Sequence, residues 1–316
     1  MSWILRSISL MLLLQSGLCW ASTAESLAIV DGQITEYGLE VMAAQTDLAF
    51  IGTLEAVEYQ CLNHEGTTRP RSSTALLDLS VTESIYGHPE SERIRVRAYK
   101  VPDPGCMEPA ESTHPERFEI GSSYALLCIR DFQNDGTGFS AEWSCRNQGL
   151  YAVDPDGEIR ICNGDLTFGV EAPMATLRKN FDRLDPQSMY ETADLVILAT
   201  RFEFPEEEYR RPCMIAGPSN QQFVCTVEQV LKGELPSEQM TVGVHRSTSP
   251  ILSQYVTPVI DQTDRALLFL VKDGARFDLL WNYRGYCPVN GLRVTNSTRV
   301  DLGYELESSG LMQRVP

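Results

Sequence analysis

Asp47-Leu48-Ala49-Phe50-Ile51-Gly52-Thr53 returns further along the chain as Asp194-Leu195-Val196-Ile197-Leu198-Ala199-Thr200. Each copy is apolar at successive positions, so both faces of an extended segment would be buried, and each is expected to be a central strand. Three more landmarks follow in the same order. Leu77-Asp78-Leu79-Ser80-Val81-Thr82-Glu83, closed by Tyr86-Gly87, returns as Phe223-Val224-Cys225-Thr226-Val227-Glu228-Gln229, closed by Lys232-Gly233. Ile94-Arg95-Val96-Arg97-Ala98 returns as Met240-Thr241-Val242-Gly243-Val244, and Ala125-Leu126-Leu127-Cys128 as Ala266-Leu267-Leu268-Phe269. A fifth, looser match sets Tyr151 and Gly157 against Tyr286 and Gly291. Landmarks that keep their order while their offset drifts are what loop-length changes leave in two copies of one module.

Within the copies the period is two. Leu77, Leu79 and Val81 alternate with Asp78, Ser80 and Thr82, and Ile94, Val96 and Ala98 alternate with Arg95, Arg97 and Tyr99. That is the pattern of a strand with one buried face. Asn134-Asp135-Gly136 and Lys272-Asp273-Gly274 sit between strand patterns and read as hairpin turns. Short helical stretches near 35–45 and 187–192 open the two copies. From Pro173 to Leu184, Leu177 and Phe181 have helical spacing. The expected architecture is mainly β: two tandem five-stranded barrels, each with a short N-terminal helix, joined by a helical linker. Its parts are a signal peptide at 1–24, a first module at 25–163, a linker helix at 164–186, a second module at 187–302 and a polar tail at 303–316.

Five short strands with a Lys-Gly turn after the second suggest a small closed OB-like barrel. Ala193-Asp194-Leu195-Val196, then Thr226 through Leu231-Lys232-Gly233, then Ala266 through Leu270, then Cys287, resembles the netrin-like module of the tissue inhibitors of metalloproteases. The first copy resembles it more faintly, with Ile85-Tyr86-Gly87 at the turn. The resemblance implies an OB fold and a bias towards binding. Members that inhibit proteases place an N-terminal cysteine on the catalytic zinc. Here the expected mature start, near Glu25, has no Cys-x-Cys, so zinc chelation is not carried over.

Export is read from the N-terminus. Arg6 precedes the apolar run Ile8 to Leu14, and Ser22-Thr23-Ala24 offers small residues to a signal peptidase. Leu18 stands where a lipid-attachment cysteine, Cys19, would need a small neighbour. The run is shorter than the ~20 residues a membrane helix needs, and no later run is longer, Ala266 to Val271 being the best. The chain carries nine cysteines. With Cys19 lost alongside the signal, Cys61, Cys106, Cys128, Cys145, Cys162, Cys213, Cys225 and Cys287 remain as candidates for disulfides in a secreted or periplasmic protein. Their pairing stays open. A net charge of -17 argues against a phosphate-backbone partner.

No catalytic motif stands out. His64, His88, His114 and His245 show no metal-ligand spacing and read as surface histidines. Gly136 to Ala141 carries the letters of a dinucleotide fingerprint but leads into a strand. Asp131, Gln133, Asp135, Gly136 and Glu142 fall near calcium-loop positions; the weak candidates are Asp131, Asp135 and Glu142, and the strand flanks favour an acidic hairpin. Glu206-Glu207-Glu208 and Tyr209-Arg210-Arg211 form a charged run. Trp143 and Trp281 hold comparable late positions, and Asn296-Ser297-Thr298 is a glycosylation sequon. No cofactor is expected. The expected function is non-catalytic binding of another exported protein, with no nucleic acid and no membrane span. The alternatives are a protease inhibitor acting through a loop, for which Cys106 to His114 is the candidate, and an enzyme with an unrecognised site.

Overall fold

A computed structural model describes residues 29–30, 33–34, 43, 46–62, 72–99, 118–131, 138–140, 150–153, 158–161, 171–203, 221–244, 263–307 and 312–315. The strands, in chain order, are β1 (Ile29–Val30), β2 (Gln33–Ile34), β3 (Leu48–Leu62), β4 (Ser72–Tyr86), β5 (Arg93–Tyr99), β6 (Ser123–Asp131), β7 (Gly138–Ser140), β8 (Leu150–Val153), β9 (Glu158–Ile161) and β10 (Glu171–Pro173). Helices α1 (Met174–Asp182) and α2 (Pro186–Thr192) follow. The second half holds β11 (Leu195–Glu203), β12 (Gln221–Lys232), β13 (Gln239–Val244), β14 (Arg265–Asp273), β15 (Arg276–Leu279), a 3₁₀ turn at Asn282–Gly285, β16 (Tyr286–Asn290), β17 (Arg293–Thr295), β18 (Asp301–Leu306) and β19 (Met312–Arg314).

The first sheet closes on itself. β3 pairs with β4, β4 with β5, β5 with β7 in parallel, β7 with β6, and β6 returns to β3. The second half repeats the ring of pairings: β11–β12–β13, β13 with β15 in parallel, β15–β14 and β14 back to β11. The registers agree residue by residue. Leu77 faces Val96 where Phe223 faces Val242, and Val96 faces Phe139 where Val242 faces Phe277. The irregularities agree too. β3 slips against β4 after Ala49, after Ile51 and at Glu55, and β11 slips against β12 after Val196, after Leu198 and beyond Thr200. Bulges bend a strand and raise its twist, as closing so small a ring demands.

These registers place the sequence landmarks. The first three stand as aligned. The fourth shifts by one, because Leu48 faces Cys128 and Leu195 faces Leu270, so Ala125 corresponds to Leu267. The fifth shifts likewise: Leu126 faces Leu150 where Leu268 faces Tyr286, which puts Tyr151 opposite Cys287 in the comparison. Runs of similar apolar residues look alike at either offset; only cross-strand pairing separates them. Gly87 and Gly233 follow the second landmark with φ of 72° and 83°. A side chain at Gly233 would put its Cβ 2.4 Å from the Asp194 carbonyl oxygen, so glycine is required there on both counts.

Three cores result. Leu48, Phe50, Leu77, Leu79, Val96 and Leu126 fill the first ring, and Leu195, Ile197, Phe223, Cys225, Val242 and Leu268 fill the second at the corresponding positions. The third core lies between the rings. Into it go the outward residues of equivalent strands, Ala49 with Val196, Ala125 with Leu267, Leu127 with Phe269, together with Leu177 and Phe181 of α1. This is why the opening strand of each half is apolar on both faces: one side chain in two lines its own ring and the next faces the shared core.

The expected five strands per half are an underestimate. β8, β9 and β10 extend the first sheet, and β16, β17 and β18 extend the second in the same order. Strands this short leave too little alternation to read. The boundary at 302–303 is corrected. β18 runs through it with Leu302, Tyr304 and Leu306 buried in the shared core, and β19 pairs beyond, so 303–316 is not simply a polar tail. Within 164–186, β10 belongs to the first sheet through β9, and α1 buries Leu177 and Phe181 at the centre of the molecule. The hairpin expected at Lys272-Asp273-Gly274 joins the antiparallel pair β14 and β15; the one expected at Asn134-Asp135-Gly136 lies outside the described residues. Ala43 is helical and buried; the rest of the helix expected at 35–45, and residues 1–24, lie outside the described residues. Among the described residues no helix is long and apolar enough to cross a membrane.

Candidate functional site

Where the first ring meets the second half, polar side chains are buried in an otherwise apolar boundary. Asp47 stands just before β3 and is 6% exposed; Arg284, on the 3₁₀ turn between β15 and β16, is 3% exposed. A guanidinium nitrogen of Arg284 lies 3.5 Å from Asp47 Oδ1. The same guanidinium sits 5.9 Å above the Tyr86 ring, which stacks on Phe181 at 5.5 Å. The other carboxylate oxygen of Asp47 accepts from the Arg130 backbone N–H at 2.8 Å. Burial pushes the Asp47 carboxyl above its ordinary range, while Arg284 pulls it back down.

A second layer comes from the β17–β18 connection. Asn296 Nδ2 donates to the Asp47 carbonyl at 2.7 Å, and Asn296 Oδ1 accepts from Thr298 N, Thr298 Oγ1 and Val300 N. Arg130 Nη1 donates to the Thr298 carbonyl at 2.6 Å. His88, in the β4–β5 turn, donates its backbone N–H to the Asp301 carbonyl at 2.7 Å, and its ring covers Gly303. In chemical terms the first half presents a carboxylate, a ring face, a carbonyl and a turn edge, and the second half fills them with an arginine, a carboxamide and a strand. It is an arginine socket occupied from within the chain.

The sequon at Asn296 is thereby corrected. Asn296, Ser297 and Thr298 are all buried, and the carboxamide nitrogen that would carry a glycan is spent on Asp47. The tripeptide is there for its Asx-type hydrogen bonds. Intact-mass measurement of the protein made in a glycosylating host is expected to show no glycan at Asn296. Asn296→Ala should cost about 1–3 kcal/mol in urea unfolding, since it strands buried partners.

The disulfide expectation is corrected for three of its eight members. Cys128, Cys225 and Cys287 are free, buried thiols. Each occupies a position held by an apolar residue in the other half: Cys128 matches Leu270, Cys225 matches Leu79 and Cys287 matches Tyr151. They serve as small core residues. Cys61 is the penultimate residue of β3; its side chain and Cys106, Cys145, Cys162 and Cys213 lie outside the described residues. Burial pushes the Cys225 and Cys287 thiols up to about 12. Because the folded thiols hold their protons longer than the unfolded ones, they favour folding below pH 9.0 and lose that contribution between there and about 12. Iodoacetamide at pH ~8 should leave all three unmodified in the native protein and label them in denaturant without reductant. Labelling of the native protein would place them at the surface.

The other sequence candidates are scattered. His88 is exposed and belongs to the junction; His64, His114 and His245 lie outside the described residues. Asp131 ends β6, while the side chains of Asp131, Asp135 and Glu142 are outside the described set, as are Trp143, 206–211 and the 106–114 loop. Trp281 is 37% exposed on a backbone of φ 52°. Sequence reasoning missed Asp47 and Arg284. The visible signal was an aspartate repeated at the head of both copies; its partner, 237 positions away (284 − 47), has no local signature. Comparison of the chain with protein-family models, curated proteins and solved structures finds no match.

Proposed function

We propose that this chain is an exported, non-catalytic binding protein, secreted or periplasmic, built from two OB-like barrels of the netrin-like kind that diverged from one module. The order of pairing, with the third and fifth strands of each ring parallel, supports the OB assignment. One observation carries the functional reading. Both ring interiors are filled by their own side chains, including Phe50 in the first and Phe223 and Tyr286 in the second. Barrels of this size without a lumen bind on their outer surfaces and loops.

The outer surfaces have also diverged where the interiors have not. Along β5 the outward residues are Arg93, Arg95 and Arg97, with Arg95 paired to Asp78; the matching residues of β13 are exposed Gln239 and Thr241 and a buried Gly243 covered by Asp278. Two similar frames with different faces suit recognition of a protein partner. The test is affinity capture with the mature chain, from Glu25, against the exported proteins of its host. A stoichiometric partner is expected. No enrichment over a bait of unrelated fold would overturn the reading.

A further inference from the structure

The same strand frame carries charge on one barrel and none on the other. On the first barrel Asp78 of β4 faces Arg95 of β5, and Ser80 faces Arg93. Asp78 accepts two hydrogen bonds from the Arg95 guanidinium, at 2.6 and 2.8 Å, and Glu55 lies 3.4 Å from Arg93. At the matching positions of the second barrel Val224 faces Thr241 and Thr226 faces Gln239. Thr200 of β11 lies beside Thr226, and Gln222 falls on the same side of β12 as Val224. These six outward residues are exposed or half-buried, and none is charged, in a chain of net charge -17. Charge stands at their border instead. Glu203 lies beside Val224; Arg265, bonded to Glu228, lies beside Thr200; and Asp278, beyond Gly243, is held by Arg276 at 3.1 Å.

We infer that this outer face of β12 and β13 is where the partner protein docks, and that the partner meets it with an uncharged surface. An uncharged centre inside a charged border is the anatomy of a protein interface, whose core is depleted of charge. The occupant's chemistry follows from the same distribution. A lysine, arginine or carboxylate laid on Thr226, Gln239 and Thr241 would lose its water with no opposite charge beneath it. Hydroxyl, amide and aliphatic groups meet no such penalty. The threonines and glutamines supply donors and acceptors for them, and Val224 an apolar contact. Threonine and valine are stiff, so little rotamer freedom is lost on contact. The first barrel cannot offer this surface, because the Asp78–Arg95 pair would have to be broken or buried under the partner. The inference rests on the protein-binding reading above and gives it a location.

The test exchanges the two faces. Val224→Asp/Thr241→Arg places the first barrel's ion pair on the second, in the cross-strand register that already holds it on β4 and β5. Gln239→Arg adds one charge at an exposed position and replaces the double variant should that fail to fold by its urea midpoint. Asp78→Val/Arg95→Thr strips the pair from the first barrel. The exported protein captured by the wild-type mature chain is purified and titrated against each variant. Val224→Asp/Thr241→Arg and Gln239→Arg are each expected to weaken its binding about tenfold or more, and Asp78→Val/Arg95→Thr to leave it unchanged. Equal Kd for wild type and both second-barrel variants, or a loss confined to Asp78→Val/Arg95→Thr, overturns the site and leaves the binding function standing. A wild-type chain that captures nothing overturns the binding function itself. Sedimentation equilibrium of the same proteins tests a second copy as the occupant: self-association abolished by Val224→Asp/Thr241→Arg overturns the exported partner at this face.

Discussion

Arg284→Met is expected to lower the stability of the protein by about 3–5 kcal/mol, the usual cost of removing one member of a buried ion pair. The loss is large because the arginine is not missed for its attraction alone. Its removal leaves the Asp47 carboxylate 6% exposed and without the stronger of its two cationic neighbours, Arg130 being the other. The effect should depend on pH in a fixed sense. Burial already holds the Asp47 carboxyl above its ordinary value of 3.8, and without Arg284 it rises further. A folded-state pKa above the unfolded one means that stability falls as pH rises past the unfolded value. The deficit of Arg284→Met should therefore be greatest at neutral pH and shrink as pH drops through the carboxylate range. The double variant Asp47→Asn/Arg284→Met should recover part of the loss, because it removes both charges and keeps an acceptor for the Arg130 N–H. Urea midpoints of the three proteins at pH ~7 and ~4.5 decide the matter. A single variant within 1 kcal/mol of wild type would mean the pair contributes nothing.

That pair also marks the limit of what the sequence makes legible. Segments with strong alternation were readable: Leu77 to Val81 and Ile94 to Ala98 are strands with the expected faces inward. So was the ambiguity of Leu48 to Thr53, whose apolar residues on both faces announced burial on both sides without naming the second cover. The cover is the other copy. Nothing local distinguishes a strand buried by a helix from one buried by a second sheet, and so the shared core, with α1 at its centre, reads as a linker in the sequence.

Two other misreadings have one cause. The cysteines were assigned by compartment and parity, yet Cys128, Cys225 and Cys287 stand at core positions where the other half has leucine or tyrosine. Asn296-Ser297-Thr298 was read by its letters, yet its carboxamide closes a buried turn. In both, a residue type with a well-known chemistry is used for shape and hydrogen bonding, and only the internal comparison of the two halves reveals it.

The shared core predicts that the two halves unfold as one. Phe181 is 2% exposed, stacks on Tyr86 of the first barrel and lies in a cluster with Leu198 and Phe269 of the second. Truncating it opens a cavity bordered by both, so Phe181→Ala should cost about 3–5 kcal/mol. A chain beginning at Glu25 carries two tryptophans, Trp143 in the first half and Trp281 in the second. Trp143→Phe and Trp281→Phe variants therefore each report on one half by fluorescence. In the parent protein the two reporters should give a single coincident transition in urea, and Phe181→Ala should move both midpoints down together. If instead the transitions separate, or Phe181→Ala shifts only one, then the barrels are independent units and the interface between them is a contact of convenience. Coincidence would carry a further meaning for function. A body that unfolds as one holds its two outer faces at a fixed spacing, so a partner that engages both gains the advantage of a preorganised surface.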